Sequence, residues 1–354
     1  KERPTKGFAG YCSLTKNKRL NYMAKKQLNK NLHSAKTQKQ DEFYTQIADI
    51  ERELKHYKDH FNGKTIFCNC DDPRVSNFFR YFSLNFKKLG LKKLITTCYK
   101  NQDANLFSVH DSESAVYLEY TGDQDPDKVE EYIKPLVGDG DFRSEESIEL
   151  LKQSDIVITN PPFSLFREYV AQLMDYEKKF IIVGSYNTIT YREIFKLIKE
   201  NRLWLGYGFS GGNAYFKTPH AKEFAHGVYD KDTDLVKFRN VTWFTNLDIQ
   251  KRHEKIILLK KYFGSEHEFS KYDNFDAINI DKIKDIPIDY QGAMGVPITF
   301  MDKYNPDQFE IIDAIGRYSM IDGPTNETRG NYLTKVNGIP KFARIVIKRK
   351  DNEY

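Results

Sequence analysis

From about residue 64 to residue 201 the chain alternates short apolar runs with amphipathic stretches. That pattern predicts βα units, in which a largely parallel sheet is covered by helices, and so an α/β fold class. The runs that read as strands are residues 66–70, 94–98, 155–159 and 180–183. After Pro73, Ser76 can cap a helix whose Phe78, Phe79, Phe82, Phe86 and Leu89 recur at helical spacing, with Gly90 to end it. Further helices are predicted over 144–152, from Ser164 with Phe166, Val170 and Leu173 turned inward, and over 191–201. Residues 100–135 are polar and acidic and read as an insertion or long loop.

Beyond Arg202 the segments become strand-like and aromatic: 203–209, 213–217 and 241–246, the pattern of a sheet edge built from antiparallel hairpins. After about residue 250 the alternation fades into turns around Pro287, Pro297 and Pro306 and ends in a basic strand at 342–350, predicting a second, smaller unit. There is no internal repeat and no Pro-rich or Gly/Ser-rich linker.

Composition narrows the class. A chain of 354 residues with 40% hydrophobic content can bury a substantial core and is not a disordered protein. No apolar run approaches the length of a membrane span and none near the first residues reads as a secretory signal, so a soluble, cytoplasmic protein without a membrane partner is expected. Cys12, Cys68, Cys70 and Cys98 contain no Cys-x-x-Cys pair and no histidine at a zinc-ligand offset, which argues against a metal. Cys68 and Cys70 alternate as inward-facing small residues of a strand would, and free thiols suit a reducing compartment.

The net charge of +5 is unevenly spread: residues 1–40 carry eleven Lys or Arg against Glu2 alone, leaving 44 basic and 49 acidic groups elsewhere. Such an arm, with Lys25, Lys26, Lys36 and Lys39 among Asn and Gln, can neutralise the phosphates of a nucleic acid. A solvated tail without a partner has the same composition.

The chemistry is concentrated in Asn160-Pro161-Pro162-Phe163, at the predicted carboxyl end of a buried strand, where open α/β sheets bind ligands. Two prolines fix φ and remove two backbone donors, so the Asn160 amide oxygen and the Pro161 carbonyl can both face a ligand as acceptors, which suits an NH2 group. An adenine amine is a poor nucleophile because its lone pair is delocalised into the ring. Two acceptors on its hydrogens favour an sp3-like nitrogen aimed at a methyl donor, with Phe163 stacked on the base. A base in duplex must also be flipped out to reach such a pocket. Asn-Pro-Pro-Phe is equally a plain strand-to-helix turn, and its context on both sides is what separates the two readings.

From about Asn29 onward the sequence resembles the EcoRI-type adenine-specific DNA methyltransferase family. The segments that carry the resemblance are 41–46, 68–79, 138–144, 154–166 and 294–300. The resemblance implies a Rossmann-like class I methyltransferase domain, with a mostly parallel twisted sheet and an antiparallel edge, over residues 41–250. It also implies a target-recognition region over 251–354 behind the basic N-terminal arm at 1–40. It implies S-adenosylmethionine as cofactor, double-stranded DNA as partner and a monomer, encoded by a bacterium or a phage within one. Phe43, Tyr44 and Thr45 match the family's N-terminal cofactor-contacting motif; Asn69, Asp71 and Asp72 fall where the cofactor's amino-acid moiety belongs; Asp141 and Phe142 match the element that holds its adenine. Asn160 touches both cofactor and base, and Tyr215 and Phe216 match the aromatic position that faces Phe163 across the flipped base, with Trp243 as competitor. The first strand is followed by Asp71-Asp72-Pro73 in place of a Gly-x-Gly loop, and the second ends in Cys98-Tyr99 without an acid, so the ribose contact has no residue. GAATTC, methylated at its second adenine, is the implied target site. Similar tetrapeptides occur in RNA and protein methyltransferases, and a non-catalytic DNA-binding relative is the alternative of a different class.

Overall fold

A computed structural model describes residues 43–99, 115–218, 228–273, 275–315, 335–341 and 343–350. The basic arm, with Lys25, Lys26, Lys36 and Lys39, lies outside the described residues. The chain enters through a two-residue strand, β1 (Tyr44–Thr45), and helix α1 (Ile47–Leu54). The alternating unit follows as β2 (Thr65–Cys68), α2 (Asn77–Leu89), β3 (Lys93–Cys98), β4 (Val116–Tyr120), β5 (Lys134–Pro135), α3 (Glu145–Gln153), β6 (Ile156–Thr159), α4 (Phe166–Asp175), β7 (Lys179–Ser185) and α5 (Arg192–Lys199). Then come β8 (Trp204–Leu205), β9 (Asn213–Lys217), β10 (Tyr229–Asp230), β11 (Leu235–Arg239) and β12 (Val241–Thr245). The last part holds β13 (Ile278–Asn279), β14 (Met294–Pro297), β15 (Phe309–Ile315), β16 (Lys335–Val336), β17 (Ile339–Pro340) and β18 (Arg344–Arg349).

An apolar run buried on both faces needs a ladder partner on each side, and the central strands have one. The main sheet has the order β5-β4-β3-β2-β6-β7-β12-β8, parallel from β3 to β7 and antiparallel at both edges. Every residue of β2 and of β6 is buried. Chain order reverses between these two neighbours, so their carboxyl ends form the crevice where α/β sheets place ligands. Helix α2 begins as its sequence predicts, with the Ser76 hydroxyl accepting from the amides of Phe78 and Phe79, both at 3.1 Å. It ends on Gly90 at φ +63°, where a Cβ would also collide with the Asn62 amide.

Four expectations change. Within 100–135, read as a loop, residues 116–120 are a strand of the main sheet: Val116, Leu118 and Tyr120 are buried and alternate with Tyr117 and Glu119, so half of the strand is polar because it faces water. Cys70 does not continue its strand but turns left-handed at φ +62°, outside the strand that ends at Cys68. Segment 203–209 is a strand at just Trp204 and Leu205, with the Gly206 amide adding one bond to the Trp243 carbonyl at 2.9 Å. Segment 213–217 leaves the main sheet for a separate antiparallel one, β1-β9-β11-β10.

Residues 278–349 build a third sheet, β13-β14-β18-β15, with a bulge between Ile311 and Asp313, and the small β16–β17 hairpin. One apolar cluster runs from Phe67, Phe180 and Phe244 of the main sheet to Met294, Phe309 and Ile347 of this one. Among the described residues no helix is long and apolar enough to cross a membrane, and no group of three or more His, Cys, Asp or Glu is placed to hold a metal ion. Cys68 and Cys70 are free thiols, and the Cys98 thiol donates to the Tyr99 carbonyl at 3.6 Å.

Candidate active site

Strand β6 stops where its sequence must stop: Pro161 and Pro162 have no N–H to continue a ladder. Phe163 opens a short 3-10 turn, closed by the Leu165 amide on the Pro162 carbonyl at 3.0 Å, and the chain passes into α4. Asn160 is thereby held at the strand end, and its amide has a fixed sense. Its Nδ2 donates to the main-chain carbonyl of Phe43 at 2.6 Å. A carbonyl can only accept, so Oδ1 must face the other way, and there it is buried with no hydrogen-bond partner among the described residues. A buried acceptor left open costs about 1–3 kcal/mol, unless a ligand closes it.

The Phe43 that orients Asn160 also builds the wall of the site. Its ring lies 6.1 Å from Phe163, 5.7 Å from Phe216 and 4.9 Å, edge-on, from Phe238. Phe163 stays partly exposed, whereas Phe216 is wholly buried behind Phe43. Tyr215, its neighbour on β9, points to the opposite face and is 37% exposed, so only one of the two can look toward Phe163. Trp243 has no exposed surface and stacks on Phe209 at 5.5 Å inside the core.

Thr45 completes β1 with a buried hydroxyl that has no partner among the described residues, while its carbonyl accepts from Asn77 Nδ2 at 2.8 Å and so ties β1 to the start of α2. Tyr44 is partly exposed and pairs with Lys217 across the ladder.

At the end of β2, Asn69, Asp71 and Asp72 are all buried, which a carboxylate avoids unless it is paired or used. Asp72 is used locally: it accepts from the amide and the Nε of Arg74, both at 3.0 Å. Asn69 Oδ1 accepts from the Tyr169 hydroxyl, which reaches across from α4. Asp71 accepts from Ser76 Oγ at 3.0 Å and faces Thr159 Oγ1 at 2.6 Å. That hydroxyl also touches the Asn69 carbonyl, so one hydrogen serves two acceptors. No cationic side chain pairs with Asp71 among the described residues, and burial pushes its carboxyl up to about 7. A proton on Asp71, donated to Thr159, resolves the conflict, and so does a cation brought by a ligand.

The third element is the loop before α3. Gly140 stands at φ +76°, and a Cβ there would lie 2.5 Å from the Cys98 carbonyl oxygen, so only glycine lets this loop close on the end of β3. It delivers Phe142, buried edge-on against Tyr169 at 5.1 Å, beside Asp141. The Asp141 carboxylate is already held by Arg143, through the amide at 2.8 Å, Nε at 2.9 Å and a terminal nitrogen at 2.7 Å. Burial raises its pKa, but those hydrogen bonds outweigh burial and leave it below the usual carboxylate range. Arg143 continues to Glu168 on α4 at 3.0 Å.

Sequence reading missed Thr159 and Tyr169, which join the three elements. Both left a signal: a hydroxyl ending an otherwise apolar strand, and a phenol on the buried stripe of a helix. The Phe43 carbonyl left none, being main chain.

Among the described residues the Thr45 hydroxyl has no partner and the Asp71 carboxyl no cation, which fits a cofactor with a positive charge and polar groups of its own, while the open Asn160 oxygen fits an N–H donor. The family described as "Adenine-specific methyltransferase EcoRI" matches residues 31–350. Type II methyltransferase M.EcoRI of Escherichia coli is 52% identical over 333 residues, covering 93% of this chain and 99% of that protein. Type II methyltransferase M.MpnI of Mycoplasma pneumoniae is 38% identical over 327 residues, 90% of this chain and 98% of the relative. M.MgeORF184P of Mycoplasma genitalium, also a Type II methyltransferase, is 38% identical over 332 residues, 89% and 98% of the two chains. No solved structure matches.

Proposed function

The chain belongs to the EcoRI family of adenine-specific methyltransferases and is a DNA adenine methyltransferase, and on that premise we propose how Asn160 works. The reaction is transfer of a methyl group from S-adenosylmethionine to the exocyclic N6 of an adenine flipped out of duplex DNA. The observation that carries this reading is the buried, unpartnered Oδ1 of Asn160, fixed in direction by the Phe43 carbonyl. A base amine has the hydrogen that this oxygen lacks. The Pro161 carbonyl takes the second hydrogen, and Phe163 packs on the base face. Asn160 is an acceptor and not a base, so the surplus proton leaves to water after transfer.

When bound, S-adenosylmethionine supplies an electrophilic sulfonium methyl. The residues that would hold it are Thr45 through its free hydroxyl, Asp71 through a charge facing the α-ammonium, and Phe142 with Asp141 around the adenine ring. Asn69 works at one remove, with its amide oxygen committed to Tyr169. In this reading residues 41–250 are a Rossmann-like catalytic domain, 251–354 the target-recognition region and 1–40 a phosphate-binding arm. The enzyme acts as a monomer in the cytoplasm of a bacterium or of a phage-infected cell. The family resemblance makes GAATTC the site to test first.

The test is incubation with tritiated S-adenosylmethionine and duplex DNA, RNA or protein, followed by nucleoside analysis. Label in N6-methyladenine of duplex DNA is expected, and label confined to RNA or protein would overturn the reading. For the site, treated DNA should resist the endonuclease that cuts GAATTC; complete cleavage would remove that assignment.

A further inference from the structure

The small sheet β1-β9-β11-β10 has two unlike faces. Antiparallel partners directly opposite each other point the same way, so the register sorts its side chains. Thr45, Phe216, Val236, Ala214 and Phe238 share the inner face, and the first four are buried. Lys217, Tyr215, Lys237 and Arg239 share the other face, since Tyr44 stands opposite Lys217, Lys237 opposite Tyr215 and Arg239 opposite Asn213. A one-residue slip would turn Phe216 and Val236 into water, so this sorting is firmly held.

The outer face is basic and aromatic. Lys217 and Arg239 are exposed, and Lys237 Nζ sits 5.7 Å from the centre of the Tyr215 ring. None of the three cations forms an ion pair with a carboxylate among the described residues. The acid on this face is Asp230, opposite Leu235 on the strand farthest from β1. Same-face positions two apart on a strand are about 6–7 Å from one another. Lys217, the Tyr215–Lys237 pair and Arg239 therefore form a continuous stripe of positive charge along β9 and β11.

Both ends of this sheet are tied to the catalytic strand ends. At one end, Phe43 enters β1 and its carbonyl holds Asn160. At the other, Asn240 follows Arg239 and its carbonyl accepts from the Tyr186 amide at 2.6 Å; Tyr186 follows β7, the ladder neighbour of β6. The sheet that displays these cations is thus anchored by its backbone to the catalytic strand ends, and an exposed row of cations carried so is suited to a polyanion.

We propose that the outer face of β1-β9-β11-β10 seats the sugar-phosphate backbone of the DNA next to the target adenine, through Lys217, Lys237 and Arg239. This rests on the reading of the chain as a DNA methyltransferase. Phosphate contacts position a duplex without reading its sequence, and each one contributes counterion release. Tyr215 then keeps Lys237 over its ring on the DNA side, a different task from stacking against Phe163.

The test uses the full chain and two fluorescent duplexes, one with GAATTC and one of unrelated sequence, titrated over a range of salt. For the triple variant Lys217→Ala, Lys237→Ala, Arg239→Ala, affinity for both duplexes should fall in parallel, by tenfold or more at about 0.1 M salt. The slope of log K against log salt should shrink by roughly 2–3, about 0.9 per lost phosphate contact. Calorimetric S-adenosylmethionine binding should persist as the check on folding, and Lys217→Arg with Lys237→Arg should restore most of the slope. If the triple variant does not fold, Arg239→Ala alone, with an expected slope change of about one, decides. An unchanged slope in a protein that still methylates DNA overturns the surface, as does a loss confined to the GAATTC duplex. A wild-type protein that labels no DNA overturns the underlying reading instead.

Discussion

Two buried carboxylates, Glu53 on α1 and Asp71 beyond β2, show how the chain separates architecture from chemistry. Glu53 has no exposed surface and accepts from the Tyr57 hydroxyl at 2.7 Å and from the amides of Tyr207 and Gly208 at 2.9 and 3.0 Å. Gly206 leaves room for it, since a Cβ there would collide with Oε1. Burial raises its pKa, and three dedicated donors oppose that rise without cancelling it. Asp71 has two hydroxyl donors, one shared with another acceptor, and its pKa stays near 7. A satisfied buried acid clamps α1 to the loop after β8; an under-satisfied one waits for a partner that the fold does not supply.

Asn160 belongs with Asp71, and breaking it should have the largest effect. Asn160→Ala should lower kcat for methyl transfer by at least about 10²–10³-fold while duplex binding, read by anisotropy, stays. Asn160→Asp is the sharper probe. It keeps an acceptor for the base but sets an anion against the Phe43 carbonyl, so the new carboxyl works only when protonated. Its activity should rise as pH is lowered, opposite to the wild type, and a flat profile would remove Phe43 from the mechanism.

Glu53 should behave in the contrary way. Glu53→Ala strands a phenol and two amides in the interior and should cost roughly 3 kcal/mol in urea unfolding. S-adenosylmethionine affinity should not change while the protein remains folded. A large loss of affinity without loss of stability would erase the contrast between the two acids.

Asp71 couples stability to pH. Its folded pKa, about 7, lies above the ordinary aspartate value of 3.8, so the folded state holds a proton that the unfolded state has lost between those limits. The stability it contributes is complete below about pH 4 and is lost as pH rises through about 7, at up to about 1.4 kcal/mol per pH unit. Asp71→Asn should flatten that slope while weakening S-adenosylmethionine roughly tenfold, the size of one lost charge-assisted contact. In the wild type, an ammonium beside Asp71 favours its charged form, so cofactor affinity should climb with pH up to about 7. Calorimetry in two buffers of different ionisation heat would measure the proton released.

Sequence pattern carried the frame of this site further than its wiring. The corner at Asn160 was readable because a buried run, two prolines and an amphipathic helix leave the chain little choice, and the Ser76 cap and Gly90 stop were readable because each is local. β4 was hidden by its wet face, which made a sheet strand look like loop. The hold of Phe43 on Asn160 was hidden for another reason: it joins positions 117 residues apart through a main-chain oxygen, which has no side-chain signature. Likewise, the opposed directions of Tyr215 and Phe216 follow from strand alternation, but which of them faces inward depends on the β1 and β11 register.

Asp141 is the intermediate case and should give the smallest effect. In the proposed reading it lies at the cofactor's adenine and Asp71 at the amino acid, yet its carboxylate is held by three hydrogen bonds from Arg143 and its pKa is lowered. An acid so compensated has charge to spare for nothing; what it can offer an adenine amine is a lone pair. An amide oxygen offers the same, so Asp141→Asn should change the S-adenosylmethionine dissociation constant by no more than about threefold, or roughly 0.6 kcal/mol, the scale of one partly exposed ion pair. Arg143→Ala should cost more, because it frees the loop that Gly140 folds against β3 and loosens Phe142 from Tyr169. A loss above about thirtyfold for Asp141→Asn, with Arg143→Ala mild, would put Asp141 beside Asp71 as an acid whose charge the cofactor needs, and the division between clamped and waiting carboxylates would then have to be drawn by position rather than by hydrogen-bond supply.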